Sequence, residues 1–235
     1  MPRPGEPRAP RRWSEVQSPT FYRVMRAIAR IFFRVWVRRY RIVGLEHIPS
    51  SGGAFLIANH TSAFDPVILG FAVDNRIMAG PGKIELFKNP VSRYILRAIG
   101  IFPLRPGEAD AAAVRTMVDL YRAGRCVIVY PEGGRSDSGE IQEFIPGFAR
   151  LVLKLQAPVI PAGIAGAQEL LPIGGRIPRL GRPVVVAYGE PIDLSQFYGR
   201  HPAPEQVEGA SQLMFDRVSA LIQYARRERE LLLRG

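Results

Sequence analysis

Short apolar runs alternate along this chain with longer stretches in which apolar residues recur every three or four positions. The runs at 41–43, 54–58, 76–79, 101–104, 126–130, 159–165 and 184–188 predict strands. Residues 66–73, 90–98, 109–123 and 147–156 carry the helical period, and a long final helix is expected near 204–231. In the stretch 109–123, Val114, Met117, Val118 and Tyr121 share one face, and Gly124 follows as a good C-cap residue. The final helix sets Leu213, Met214, Val218, Leu221, Ile222 and Ala225 at helical spacing before a charged ARRERE segment. Strands alternating with helices predict an α/β fold: a single mixed, largely parallel sheet of about seven strands covered by helices.

The strongest helical pattern comes first, in TFYRVMRAIARIFFRVWVRRYR at 20–41. Arginines 23, 26, 30, 34, 38 and 41 fall within an arc of about 120° at about 100° per residue. Phe21, Met25, Ile28, Phe32, Val35 and Trp36 take the opposite side. A helix packed on the body with its arginines in water fits this pattern, and so does a helix lying in a membrane interface. Nucleic acid would want the arginines but not the neighbouring Phe32, Phe33 and Trp36, and no groove-reading module follows. The membrane reading uses both faces, with arginine on lipid phosphate and aromatic rings among acyl chains. The expected organisation is a disordered basic tail over 1–19, this amphipathic helix over 20–41, an α/β body over 42–200 and a C-terminal helix over 201–235.

Charge sharpens the search for a partner. A net charge of +11 calls for a polyanion, whether an anionic membrane or a phosphorylated substrate. The single cysteine, Cys126, lies in an apolar run, excludes an internal disulfide and reads as an inert core thiol. Histidines at 47, 60 and 201 have no metal-pair spacing, so neither a metal nor a bound cofactor is expected. No apolar run is long enough to cross a bilayer, and the start MPRPGEPRAPRR has no apolar signal core. A peripheral place on the cytoplasmic face of the cell membrane, with no transmembrane helix and no signal peptide, is the expectation.

Polar clusters at three predicted strand ends are the candidate chemistry, because sites in α/β sheets collect there. They are Asn59, His60 and Asp65; Arg105 closing GIFPLR; and YPEGGRS at 130–136. An imidazole can take a proton near neutral pH, and a carboxylate can hold its other ring nitrogen and stabilise the imidazolium. No Gly-x-Ser-x-Gly elbow offers a nucleophile, so the base would act on a hydroxyl brought by the substrate. Arg105 and Arg135 can clamp a phosphate, and the amides of Gly133 and Gly134 can form an anion nest. Glu132 suits a hydroxyl-bearing phosphate ester, accepting from its hydroxyl or orienting an arginine. A purely structural account also exists: Asp65 as a helix N-cap before Pro66, Arg135 paired with Glu132, and a common Gly-Gly turn.

The segments NHTSAFD (59–65), GIFPLR (100–105), YPEGGRS (130–136) and APVIPAGI (157–164) resemble, in order and spacing, the four motifs of glycerolipid acyltransferases. The look is closest to the bacterial 1-acyl-glycerol-3-phosphate acyltransferases, and GKIELFKNP (82–90) resembles the segment preceding the second motif there. The resemblance spans about residues 40 to 190 and makes the body an acyltransferase domain. It implies that His60 deprotonates the acceptor hydroxyl with Asp65 as partner, and that the hydroxyl attacks an acyl thioester without an acyl-enzyme. It implies glycerol-phosphate contacts from Arg105, Glu132, Gly133 and Arg135, a further reach from Lys83, and a structural or acyl-binding role for Pro161. The implied partners are a lysophospholipid acceptor, an acyl-coenzyme A or acyl carrier protein donor as co-substrate, and an anionic membrane surface, with no nucleic acid. Phosphatidic acid for phospholipid biosynthesis is the implied product. Two positions depart from the pattern: Gly134 stands where threonine is common, and Tyr130 where phenylalanine is frequent. Another lysophospholipid or glycolipid acceptor, and a non-catalytic lipid-binding module, remain as alternatives.

Overall fold

The computed structural model describes residue 13 and residues 17–234 other than 38, 75, 106–109, 137, 173, 176 and 180. In chain order the elements are α1 (Pro19–Trp36), β1 (Tyr40–Val43), β2 (Ala54–Ala58), α2 (Asp65–Ala72), β3 (Met78–Lys83), α3 (Pro90–Ala98), β4 (Ile101–Leu104) and α4 (Ala111–Arg122). They continue with β5 (Cys126–Val129), α5 (Pro146–Leu155), β6 (Val159–Ala165), α6 (Ala167–Leu170), β7 (Val184–Tyr188) and α7 (Pro204–Arg234). The strands form one seven-stranded sheet in the order β1-β7-β6-β2-β5-β3-β4. Every neighbouring pair is parallel except β6 with β7. The predicted mixed, largely parallel α/β sheet is the observed one.

The alternation within β2 shows how the layers are built. Phe55 and Ile57 point into a core with Leu120 of α4, Phe148 and Val152 of α5, and Met214, Val218 and Ile222 of α7. Ala54, Leu56 and Ala58 point to the other face, where Tyr22 and Phe33 of α1 pack with Ile68, Leu69 and Phe71 of α2. The long α7 lies on β6 and β7, so closely that a Cβ at Gly163 would stand 2.4 Å from the backbone of Leu221 and Ile222. Arg41–Glu228 and Arg229–Glu169 ion pairs, both at 2.6 Å, fasten its charged end to the body.

Three expectations change in detail. The strand expected at 76–79 is β3, which starts at Met78 and continues through Gly80, Pro81 and Gly82 to pair with β4. A Cβ at Gly82 would lie 2.5 Å from Ile101, so close strand approach needs the glycine. Arg76 precedes the strand and gives its guanidinium to the carbonyls of Pro49, Gly52 and Gly124. The first helix stops at Trp36 rather than running to 41, and Arg41 belongs to β1. Ser18 caps that helix by accepting the Phe21 N–H, with Pro19 at its first position.

The apolar side of α1 is divided. Tyr22, Met25, Ala29, Phe32 and Phe33 pack on the body, whereas Val24, Ile28, Ile31 and Val35 are 50–65% exposed. Arg38 and the side chain of Trp36, both counted in the expected pattern, lie outside the described residues, as do residues 1–12 of the expected tail. Within that tail, Trp13 is buried edge-on to Phe102 beneath the Arg97 guanidinium, and Gln17 is buried with its amide on the Met78 carbonyl.

Candidate active site

The loop after β2 delivers His60 to the carboxyl edge of the sheet. Asn59, immediately before it, is buried and exchanges two hydrogen bonds with Ile164 of β6: its Oδ1 accepts the N–H and its Nδ2 donates to the carbonyl. His60 Nδ1 lies 2.9 Å from Asp65 Oδ2. A carboxylate can only accept, so the proton belongs on Nδ1 and the Nε2 lone pair is open. The same Asp65 oxygen accepts the N–H groups of Thr61 and Ser62, each at 2.7 Å. Asp65 is therefore not the N-cap of α2, which is Phe64; it is the first helical residue, fully buried, with its carboxylate turned back on the loop.

The short α2 is held from its far end. Its carbonyls at Ile68, Leu69 and Gly70 accept the hydroxyls of Tyr40, Tyr188 and Tyr22 respectively. Carbonyls near a helix C-terminus lack helical partners, and here phenols from β1, β7 and α1 supply them. Burial pushes the Tyr22 hydroxyl up to about 12 and raises the Tyr40 and Tyr188 hydroxyls well above the ordinary phenol range, so all are donors at neutral pH. The sequence carried no signal for this clamp, because its partners are main-chain carbonyls 28 to 119 positions away.

The loop after β5, the adjacent strand, closes over the same corner. The Tyr130 ring stacks on the His60 imidazole with centroids 4.0 Å apart and planes 12° from parallel. Glu132 neither orients an arginine nor points outward. Its Oε1 accepts the His60 N–H at 2.8 Å and its Oε2 the Gln142 N–H at 2.9 Å. Burial raises its carboxyl above the usual range, and those two amides oppose the shift. The Ser136 N–H returns to the His60 carbonyl at 2.8 Å, so three residues of this loop grip one histidine. Gly133 turns at φ 75°, a left-handed conformation suited to glycine, and its N–H is used on the Tyr130 carbonyl. Of the two amides expected in an anion nest, Gly134's alone has no acceptor among the described residues. Arg135 is exposed and has no partner among the described residues.

The remaining site candidates lie along the same edge. Lys83 ends β3 and Leu104 ends β4 beside it, which puts Lys83 and Arg105 on neighbouring strand ends. Lys83 is more than half exposed near Glu85. Arg105 faces Asp110, the N-cap of α4, at 3.9 Å. Three strand spacings of about 4.8 Å separate β4 from β2, so Arg105 starts roughly 14 Å from the histidine strand. Pro161 sits inside the sheet opposite Ile57 and apart from this polar edge. Its missing N–H falls where the β6–β7 ladder has not yet begun, at Ala162, and its carbonyl accepts the Gly189 N–H.

Among the described residues no cluster of three or more His, Cys, Asp or Glu side chains could hold a metal ion. Cys126 is buried in β5, and burial lifts its thiol to about 12, too high for a nucleophile. What the corner can do is take a proton: an imidazole with its inner nitrogen fixed on a buried carboxylate and its outer nitrogen open, beside an exposed cationic rim.

A family model described as acyltransferase matches residues 39–165. The chain is 31% identical over 181 residues to an uncharacterized protein of Mycobacterium leprae, covering 70% of this chain and 46% of that one. It is 31% identical over 144 residues to the 1-acyl-sn-glycerol-3-phosphate acyltransferase of Borreliella burgdorferi, covering 59% of this chain and 56% of that one. The chain thus spans about half the length of these curated relatives. Among solved structures it resembles the crystal structure of the 1-acyl-sn-glycerophosphate (LPA) acyltransferase PlsC from Thermotoga maritima, with a TM-score of 0.65 and 27% identity over 90% of this chain and 79% of that one.

Proposed function

The chain belongs to the acyltransferase family, and on that premise we propose that it moves a fatty acyl group from a thioester to the free hydroxyl of 1-acyl-glycerol-3-phosphate. The observation that carries this reading is the His60–Asp65 contact at 2.9 Å, which leaves Nε2 to act as a base, with no serine or cysteine hydrogen-bonded to it among the described residues. In the proposed reaction Nε2 takes the proton of the acceptor hydroxyl while its oxygen attacks the thioester carbonyl carbon. Asp65 stabilises the imidazolium that forms. The tetrahedral intermediate collapses with loss of the C–S bond, and the departing sulfur takes the proton from Nε2. In this reading Arg135, Arg105 and Lys83, all along the same sheet edge, meet the acceptor phosphate, and Glu132 acts by shaping the loop that carries Arg135. The relative named as an acylglycerol-phosphate acyltransferase supports this acceptor over a neutral one.

The same reading sets the protein at a membrane surface, because its acceptor is a lipid; no described helix is long and apolar enough to cross a membrane. Val24, Ile28, Ile31 and Val35 form one exposed stripe along α1, and Arg23 and Arg34 border it. Leu86, Val91 and Tyr94 extend the exposed apolar surface, Tyr94 meeting Phe21 of α1.

The test is thiol release from palmitoyl-coenzyme A, with and without lysophosphatidic acid, beside His60→Ala. Release that needs the acceptor and disappears in the variant is expected. Release without acceptor would make the protein a thioesterase. Arg135→Gln should lower activity on lysophosphatidic acid by about 10–100-fold, the worth of a charge-assisted phosphate contact, and spare a phosphate-free acceptor. Equal loss on both would remove Arg135 from phosphate recognition.

A further inference from the structure

A second basic cavity lies at the opposite edge of the sheet. It has a volume of about 250 Å³ and is formed by the segments that lead into β2, β3 and β5, with the first turns of α1 as one wall. Glu132, beyond the far end of β5, is six residues from Cys126, or about 20 Å of extended chain, so this cavity is separate from the His60 corner.

The cavity is built, because Arg76 ties its rim together. Arg76 is 7% exposed, and its guanidinium donates to the carbonyls of Pro49 and Gly52 before β2 and of Gly124 before β5. Arg26 is likewise used, on the Val73 and Asp74 carbonyls. Asp74, the acidic residue of the lining, has its carboxylate drawn to Arg30 at 2.5 Å and to Arg26 at 4.0 Å. What remains is two guanidinium groups, Arg23 and Arg125, and two hydroxyls, Ser50 and Ser51, with no side-chain partner among the described residues. The Arg125 Nε is removed from water and still has no acceptor.

We propose that this cavity is a binding site for a phosphate group, held by Arg23 and Arg125 with hydroxyl donors from Ser50 and Ser51. Planar guanidinium forks and short hydroxyl donors suit a tetrahedral oxyanion better than a carboxylate or a neutral ligand. The phosphate can come from a soluble phosphorylated molecule or from the headgroup of an anionic lipid, since Arg23 also borders the exposed stripe of α1.

Calorimetric titration of the full chain with inorganic phosphate tests the site, using wild type, Arg125→Gln, Arg125→Lys and a distant surface control, Arg217→Gln. Saturable binding weakened about ten-fold or more in Arg125→Gln, weakened less in Arg125→Lys and unchanged in the control is expected. Equal binding in all four proteins would overturn the proposal, since it would reflect only the net charge. Should Arg125→Gln unfold, the same titration of Ser50→Ala/Ser51→Ala carries the test, and unchanged affinity there would overturn the proposal. Flotation with vesicles of phosphatidylcholine alone, or with added phosphatidic acid, distinguishes the sources. A loss of binding to the acidic vesicles in Arg125→Gln assigns a lipid headgroup, and retained flotation beside lost phosphate binding assigns a soluble ligand. Acyl transfer by Arg125→Gln in detergent should match wild type.

Discussion

His60 and Arg135 sit on loops leaving adjacent strands, yet the chain treats them in opposite ways. His60 is held at four points: Asp65 holds Nδ1, Glu132 accepts its main-chain N–H, Ser136 donates to its carbonyl and Tyr130 covers one face of its ring. Arg135 projects outward with no partner among the described residues. Proton transfer needs a reacting nitrogen placed to within about half an ångström, and only a locked scaffold provides that. Attraction between a guanidinium and a phosphate tolerates motion, because Coulomb energy falls off slowly with distance. On the proposed reading, geometry is settled before the substrate arrives at one residue and on its arrival at the other.

Substitutions at Asp65 give the largest break in that contrast. Asp65→Ala frees the imidazole and two buried amides at once, and should cut kcat by about 10⁴-fold. Asp65→Asn is more informative. All three donors converge on Oδ2, so an asparagine oxygen in that position keeps every contact and loses only the charge. Its expected cost is nearer 10²-fold, with little change in KM. Steady-state kinetics on both variants, with circular dichroism to verify folding, check this; equal losses would mean that Asp65 acts only through its charge.

Glu132 comes next, and its effect should fall on stability. Glu132→Ala takes the acceptor from two part-buried N–H groups and should cost about 1–3 kcal/mol in denaturant unfolding. Glu132→Gln must turn its NH₂ toward one of those donors and should recover only part of the loss. Because burial raises the folded carboxyl, the unfolded chain ionises first as pH rises past about 4.3. This residue's contribution therefore declines with rising pH until the folded carboxyl ionises too. That decline should be present in wild type and missing from the Gln variant when melting temperatures are compared across the acid range.

How much of this was readable beforehand follows the same division. The seven strands were legible because each is a short apolar run, and His60, Asp65, Arg105 and Arg135 stood out as polar groups at strand ends. The carboxyl-edge placement followed from the fold class. The inward turn of Glu132 was not legible, because its partners are main-chain amides that carry no residue identity. The same holds for the tyrosine clamp on α2 and for the Arg76 rim. The α1 helix was read as arginines opposed by one apolar face, and its division into a packed and an exposed stripe depends on where the body lies.

The tyrosine clamp should show a smaller effect. Tyr188→Phe leaves the Leu69 carbonyl without its donor and should cost about 1 kcal/mol, lowering the melting temperature by a few degrees. The clamp also sets an alkaline limit. A free phenol ionises near pH 10 and the Tyr22 hydroxyl near 12, so stability present below about pH 10 is lost as pH rises through that interval. The part of the tyrosinate absorbance that disappears in Tyr22→Phe should therefore rise together with unfolding rather than ahead of it.

Tyr130 separates ring from hydroxyl and gives the smallest expected change. Its phenol oxygen is buried without a hydrogen-bond partner among the described residues, and so is Oδ1 of Asp65. Tyr130→Phe keeps the ring face on the imidazole and removes the unpartnered group, so stability should hold or rise by up to about 1 kcal/mol. The rate should stay within about two-fold. Tyr130→Leu removes the ring face that attracts the imidazolium, an interaction of about 0.5–2 kcal/mol, and should slow turnover by about 2- to 30-fold. A loss of stability in the Phe variant would reverse the assignment: the hydroxyl would then be satisfied, and a water joining it to Asp65 Oδ1 would become part of the apparatus that holds the buried carboxylate.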